Sequence, residues 1–162
     1  MGGGTGLLCN GFKGGIGTAS RVVSAAGRLF TVGVLVQCNY NWEGKSLRLG
    51  DQWVSKKLPV GEHCYADDTI APKNPWFPFC SGAELIKDSP ARDGSIIVVI
   101  ATDAPVLPHQ LKRVAKRPAL SLGRLGAISS PGSGDIFVAF STGNTGALSE
   151  DQFNRVEQFP NN

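Results

Sequence analysis

The sequence predicts an α/β fold, and three observations carry that reading. The run from Arg28 or Leu29 to Cys38 is rich in β-branched residues, with Val32, Val34 and Val36 on one face. Ile96-Ile97-Val98-Val99-Ile100 is wholly apolar, the pattern of a strand covered on both faces. Between it and a further strand, Asp135 to Ser141, lies a segment whose apolar residues recur at helical spacing. Strands buried on both faces with helices outside imply a layered architecture.

The elements follow in order. Thr5 to Lys13 reads as a strand, and Gly14-Gly15 as a two-residue hairpin turn, because glycine reaches positive φ freely. Ile16 to Val23 then returns antiparallel, before the Arg28–Cys38 strand. Asn41 to Arg92 holds Pro59, Pro72, Pro75, Pro78 and Pro90 and many of the aromatic residues, and reads as loops with short strands. Ser95 to Ala101 is the buried strand. Pro105 to about Arg124 is helical, with Leu107, Leu111, Val114, Leu122 and Leu125 forming much of an apolar stripe and Pro108 suited to a first turn. Pro118 removes an i→i−4 bond and should kink or split that helix, since proline in a helix interior costs ~3 kcal/mol. Asp135 to Ser141 is the last clear strand, and Ser149 caps a short polar helix from Glu150 to Glu157.

Composition excludes several classes. At 162 residues the chain suits one domain, and 41% hydrophobic with 18% charged residues is an ordinary globular composition. Net charge is +3, and Lys112, Arg113, Lys116 and Arg117 fall on one helical segment as a solvated face, with no interleaved aromatics to stack on a nucleic acid. No apolar stretch reaches the ~18–20 residues of a membrane span. With no secretory signal at the start, a cytoplasmic location is expected. The four cysteines, Cys9, Cys38, Cys64 and Cys80, are widely and irregularly spaced, without the close ligand pairs of a zinc site, so no metal is predicted. Cys9 and Cys38 lie in apolar runs and read as buried thiols. His63 and His109 have no partner at metal or triad spacing and read as structural. The glycines from Gly11 to Gly17 fit neither G-x-x-x-x-G-K-[ST] nor G-x-G-x-x-G, so they make no phosphate loop.

Chemistry concentrates at Asp93-Gly94-Ser95, where an irregular loop runs into the buried strand. Cutting Gly94–Ser95 would leave Ser95 as a new N-terminus, its hydroxyl the nucleophile and its freed α-amine the base. An α-amine titrates near ~7.7–8.0, so it is partly unprotonated at neutral pH. The same dipeptide also serves as a plain loop-to-strand turn. Five collinear segments distinguish the two: Gly11-Phe12-Lys13-Gly14-Gly15-Ile16-Gly17-Thr18-Ala19-Ser20-Arg21, Val34-Leu35-Val36-Gln37-Cys38-Asn39-Tyr40, Gly94 to Pro105, Leu107-Pro108-His109-Gln110-Leu111-Lys112-Arg113, and Ser133-Gly134-Asp135 to Thr142. Together they resemble the L-aminopeptidase/D-esterase family, the self-processing peptidases that include the β-peptidyl aminopeptidases. The resemblance covers most of Gly2 to Asn144, weakest between Asn41 and Arg92.

The resemblance implies an α/β/β/α sandwich similar to the N-terminal-nucleophile hydrolases, with Ser95 opening a central strand. It implies that the Asn39 side-chain amide donates to the oxyanion of the tetrahedral intermediate, a contact typically worth ~2.7–4 kcal/mol. Ser133 is implied to be a relay beside Ser95, and Asp135 the acid that orients the relay and the amine. Residues two apart at a strand edge share a face, which suits that pair. The implied chain is a single partial domain over 1–162, split by self-cleavage into 1–94 and 95–162. Implied substrates are short peptides, amino-acid amides or esters with a free amino terminus, with no cofactor and a homo-oligomeric assembly. Family precursors are substantially longer, so the resemblance marks this chain as a fragment lacking an N-terminal region, an upstream tyrosine and a C-terminal helix. Two further readings stay open: an acyltransferase similar to ornithine acetyltransferase, whose nucleophile is normally threonine, and an inactive truncated remnant.

Overall fold

A four-stranded mixed sheet, in spatial order β3 (Ile16–Ala25), β4 (Arg28–Asn39), β7 (Ser95–Thr102) and β8 (Ile136–Ser141), carries the molecule in a computed structural model that describes residues 2–40, 47–54 and 94–145. β3 and β4 form an antiparallel hairpin, and β7 pairs antiparallel with β4. β8 runs parallel to β7, and the crossover between them is helical. A helical crossover is what two parallel neighbours need. β1 (Leu8–Cys9) with β2 (Phe12–Lys13), and β5 (Arg48–Leu49) with β6 (Gln52–Trp53), make two small hairpins.

Alternation decides which side chains are covered. Ile96, Val98 and Ile100 of β7 are buried with Cys38 of β4. Val32, Val34, Val36, Phe137 and Ala139 pack around them, under Val114 and Leu122 of the helices. Each buried aliphatic side chain of this kind contributes about 1.5–3 kcal/mol. The opposite face of the same strands, with Leu35, Ile97, Ile136, Val138 and Phe140, is exposed among the described residues. The expectation that these strands are buried on both faces is therefore met on the helical side alone. β3 is exposed along nearly its whole length.

The helical segment divides as Pro118 requires. α1 (Pro108–Ala115) and α2 (Arg117–Arg124) meet at Lys116, with Pro118 in the first turn of α2, where its missing N–H costs no helical bond. Pro108 opens α1, and the Leu107 N–H donates to Gln110 Oε1 at 3.0 Å. Lys112, Arg113, Lys116 and Arg117 are exposed. No helix among the described residues is long and apolar enough to cross a membrane.

Three local expectations are corrected. Thr5 to Lys13 is not one strand: Asn10 (φ 52) and Gly11 (φ 75) turn it back on itself between β1 and β2. Both residues take left-handed φ, the geometry of a tight Asn-Gly hairpin turn. Gly14-Gly15 is not the hairpin turn for β3, whose partner is β4 across Ala26 (φ 49) and Gly27 (φ 72). Cys9 and Cys38 are not free thiols but a disulfide, their Cα atoms 5.5 Å apart. Of the loops and short strands expected between Asn41 and Arg92, β5 and β6 are seen, and the remainder lies outside the described residues, as do His63 and the Glu150–Glu157 helix.

Candidate functional site

Ser95 is the first residue of the central strand β7, flanked by the C-terminal end of β4 and the loop that enters β8. The register sets Asn39 directly opposite Ser95, the last pair of the β4–β7 ladder. Three neighbouring groups converge on the Gly94–Ser95 junction. The Gly134 N–H donates to Ser95 Oγ at 3.1 Å, and the Ser133 hydroxyl donates to the Gly94 carbonyl at 3.2 Å. Asp135 Oδ1 accepts the Ile96 N–H at 3.1 Å. The Pro131–Asp135 loop thus grips the junction residue by residue, carbonyl, hydroxyl and following amide.

Gly94 sits where only glycine fits. A Cβ there would lie 2.6 Å from Tyr40 Cα and 2.8 Å from the Asn39 carbonyl oxygen. Backbone contacts that short cannot be relieved by a side-chain rotation. At Gly134 a Cβ would stand 3.2 Å from Ser95 Oγ.

The sequence-predicted residues are brought together, with distinct contacts. Ser133 and Asp135 line one wall of a cleft of about 210 Å³ on the helical side of the sheet, with Tyr40, Gly94, Ile96 and Leu122. Ser133 Oγ reaches the Gly94 carbonyl rather than Ser95 Oγ. Asn39 turns its Oδ1 to the Leu8 N–H, 3.3 Å away. The contribution that sequence reasoning missed is Gly134, whose backbone N–H has no side-chain signature. Its place between Ser133 and Asp135 was the available signal. Chemically, the junction offers a hydroxyl held by a donor, beside a carbonyl already polarised by a second hydroxyl. Among the described residues no three His, Cys, Asp or Glu side chains gather as a metal site.

Comparison with known proteins converges on one group. A family model described as peptidase family S58 matches residues 1–161. The chain is 50% identical over 152 residues to β-peptidyl aminopeptidase BapA of Sphingosinicella microcystinivorans, covering 92% of this chain and 35% of that protein. The solved L-aminopeptidase D-Ala-esterase/amidase of Ochrobactrum anthropi, described as a serine-aminopeptidase prototype and a new variant of the Ntn hydrolase fold, superposes with a TM-score of 0.69. It is 39% identical, over 99% of this chain and 37% of that one. A β-aminopeptidase of a Burkholderia species gives a TM-score of 0.64 at 38% identity, over 99% of this chain and 39% of that one. The chain spans about a third of the length of these relatives. The expected α/β class and its kinship with N-terminal-nucleophile hydrolases are borne out.

Proposed function

The chain belongs to peptidase family S58, and on that premise we propose that it is the nucleophile-bearing part of a self-processing serine aminopeptidase, cut between Gly94 and Ser95. The observation that carries this reading is the paired grip on the junction, Ser133 Oγ on the Gly94 carbonyl and Gly134 N–H on Ser95 Oγ. A carbonyl that already accepts a hydroxyl donor is primed to hold the negative charge of a tetrahedral intermediate.

In the first stage Ser95 Oγ attacks the Gly94 carbonyl carbon. The hydroxyl proton passes to the Ser95 nitrogen as the Gly94–Ser95 C–N bond breaks, leaving an ester and a free α-amine. Water hydrolyses the ester to the Gly94 carboxylate and regenerates the hydroxyl. The products are residues 1–94 and 95–162 of a single partial domain. In the second stage the α-amine takes the Ser95 hydroxyl proton as that oxygen attacks the acyl carbon of a substrate. The leaving amine or alcohol receives the proton, and water releases the acyl group.

Asn39, opposite Ser95, donates its amide to the oxyanion of the tetrahedral intermediate in both stages of this scheme. Ser133 relays a proton beside Ser95, and Asp135, one amide along the strand, orients the relay and the amine. Substrates are peptides, amino-acid amides or esters with a free amino terminus, in line with the aminopeptidase, esterase and amidase names of the relatives. The scheme uses no cofactor, metal, nucleic acid or membrane, and with it we propose a cytoplasmic homo-oligomer.

Intact mass spectrometry of the purified chain beside a Ser95→Ala control tests it. Two products, one ending at Gly94 and one starting at Ser95, are expected in the unmutated chain alone. A single uncut mass in a folded chain would overturn self-processing.

A further inference from the structure

The residue opposite the nucleophile is held by a segment far from it in sequence. Leu8 to Lys13 forms a hairpin whose strands are two residues each, and an isolated two-stranded hairpin is marginal in water. It is fastened to three successive residues at the end of β4. Cys9 is joined to Cys38 by the disulfide, and the Leu8 N–H donates to Asn39 Oδ1. The Asn10 N–H donates to the Tyr40 carbonyl at 2.9 Å, and Asn10 Nδ2 to the Tyr40 hydroxyl at 3.3 Å. Asn10 and Cys38 are buried, while Leu8, Cys9, Asn39 and Tyr40 are half-buried, so the seam is packed and its disulfide is still partly exposed at Cys9.

The Leu8 contact selects an orientation. A backbone N–H donates only to an acceptor, so the Asn39 carboxamide must turn its oxygen to Leu8 and leave its NH₂ as the outward donor. Flipping the amide would set two donors against each other. The orientation of the amide therefore depends on the hairpin staying in place, and the cross-link that pins it to the end of β4 is Cys9–Cys38.

We propose that the Cys9–Cys38 disulfide is a redox-sensitive clamp on Asn39: oxidised, it holds the hairpin against β4 and the amide in its donating orientation, and reduced, it releases both. Its effect on activity rests on the reading of Asn39 as an oxyanion donor given above. The step is an ordinary exchange, in which a thiol reductant gives two electrons and two protons, the Sγ–Sγ bond becomes two thiols, and the reductant leaves as its own disulfide. In the cytoplasmic location proposed above, disulfides are rare and are usually transient ones that are catalytic or sense redox state. The link meets the core at one end, where Cys38 is buried with Ile96 and Cys9 packs beside it, whereas Val98 and Ile100 pair with Val36 and Val34 further along the ladder, so the switch acts at that end of the sheet.

Two measurements on the full chain test this separately. Hydrogen exchange, with and without a dithiol, should show the Leu8 and Asn10 amides losing protection on reduction while Val98 and Ile100 keep theirs. The Gly94–Ser95 cleavage rate should fall about ten- to hundredfold on reduction, the cost of a mispositioned oxyanion donor. The Cys9→Ser/Cys38→Ser variant should reproduce both effects without reductant, leaving Cys64 and Cys80 untouched. In an Asn39→Ala background reduction should cause no further slowing. Unchanged protection at Leu8 and Asn10 would overturn the clamp itself. Equal slowing in the wild type and Asn39→Ala would overturn its action through Asn39. Lost protection with no cleavage in either redox state would sink the peptidase reading, and the activity half of this proposal with it.

Discussion

Gly134 donates its backbone N–H to Ser95 Oγ across the start of the parallel β7–β8 pair, at 3.1 Å. A main-chain donor has no side-chain torsion to turn it away, so the hydroxyl of Ser95 is oriented before any substrate arrives. The residue on either side of Gly134 reaches a different atom of the same junction, which ties the geometry of β8's entry loop to the chemistry expected at β7.

Crowding that donor should cost rate. In Gly134→Ala the new methyl carbon stands 3.2 Å from Ser95 Oγ, close enough that the hydroxyl or the loop must give by a few tenths of an ångström. Self-cleavage is expected to slow about tenfold, in keeping with the loss of about 10² for a 1 Å misplacement. A time course of intact mass checks it.

Gly94→Ala should do more harm, because its Cβ meets backbone at Tyr40 and Asn39. The junction would have to leave the β4 edge. Loss of cleavage and about 1–3 kcal/mol of stability are expected, the usual range for overpacking. Urea denaturation in a Ser95→Ala background separates the two effects.

Removing the Ser133 hydroxyl takes away the donor on the Gly94 carbonyl. Ser133→Ala is expected to slow self-cleavage by about 10²–10³, as loss of an oxyanion donor does elsewhere. The same variant should lose no more than about 1.5 kcal/mol of stability, since one hydrogen bond contributes about 0.5–1.5 kcal/mol.

The two stages should differ in pH dependence. Substrate hydrolysis needs the Ser95 α-amine unprotonated, so its rate should rise with pH and level off above about 7.7–8.0. Below that range it should fall about tenfold per pH unit, because the protonated amine cannot accept the hydroxyl proton. Self-cleavage, which precedes the amine, should lack that inflection. Paired pH–rate profiles of amide hydrolysis and of chain cutting decide the matter.

Ala26 carries a left-handed φ of 49°, which a residue with a Cβ occupies at a cost of about 1–2 kcal/mol. Asparagine relieves part of that cost in a tight turn followed by glycine. Ala26→Asn should stabilise the β3–β4 hairpin by about 1 kcal/mol. A higher urea midpoint at constant slope is the expected readout.

Strong periodicity made the long elements readable. β4 and β7 carry β-branched runs with little local competition, and Pro118 announced its own helix break. Ser95, Asn39, Ser133 and Asp135 gather because each sits at a strand end or entry loop, and strand ends were legible. The hairpin partners were not, since Asn10-Gly11, Gly14-Gly15 and Ala26-Gly27 all offer a turn, and only β3's pairing along the whole of β4 decides between them. The disulfide depends on bringing together two cysteines 29 residues apart, which no local pattern encodes.

The order β3-β4-β7-β8 places the seam of the proposed cut in the middle of the sheet. β4 belongs to the part before Gly94, and β7, β8 and both helices to the part after it. A severed chain would therefore not fall apart: its halves would share a ladder running from Val32–Thr102 to Asn39–Ser95, and Cys38 from one half would stay packed on Ile96 from the other. What began as one polypeptide would persist as a heterodimer whose subunit interface is its own hydrophobic core, two bands under denaturing conditions and one particle in native buffer.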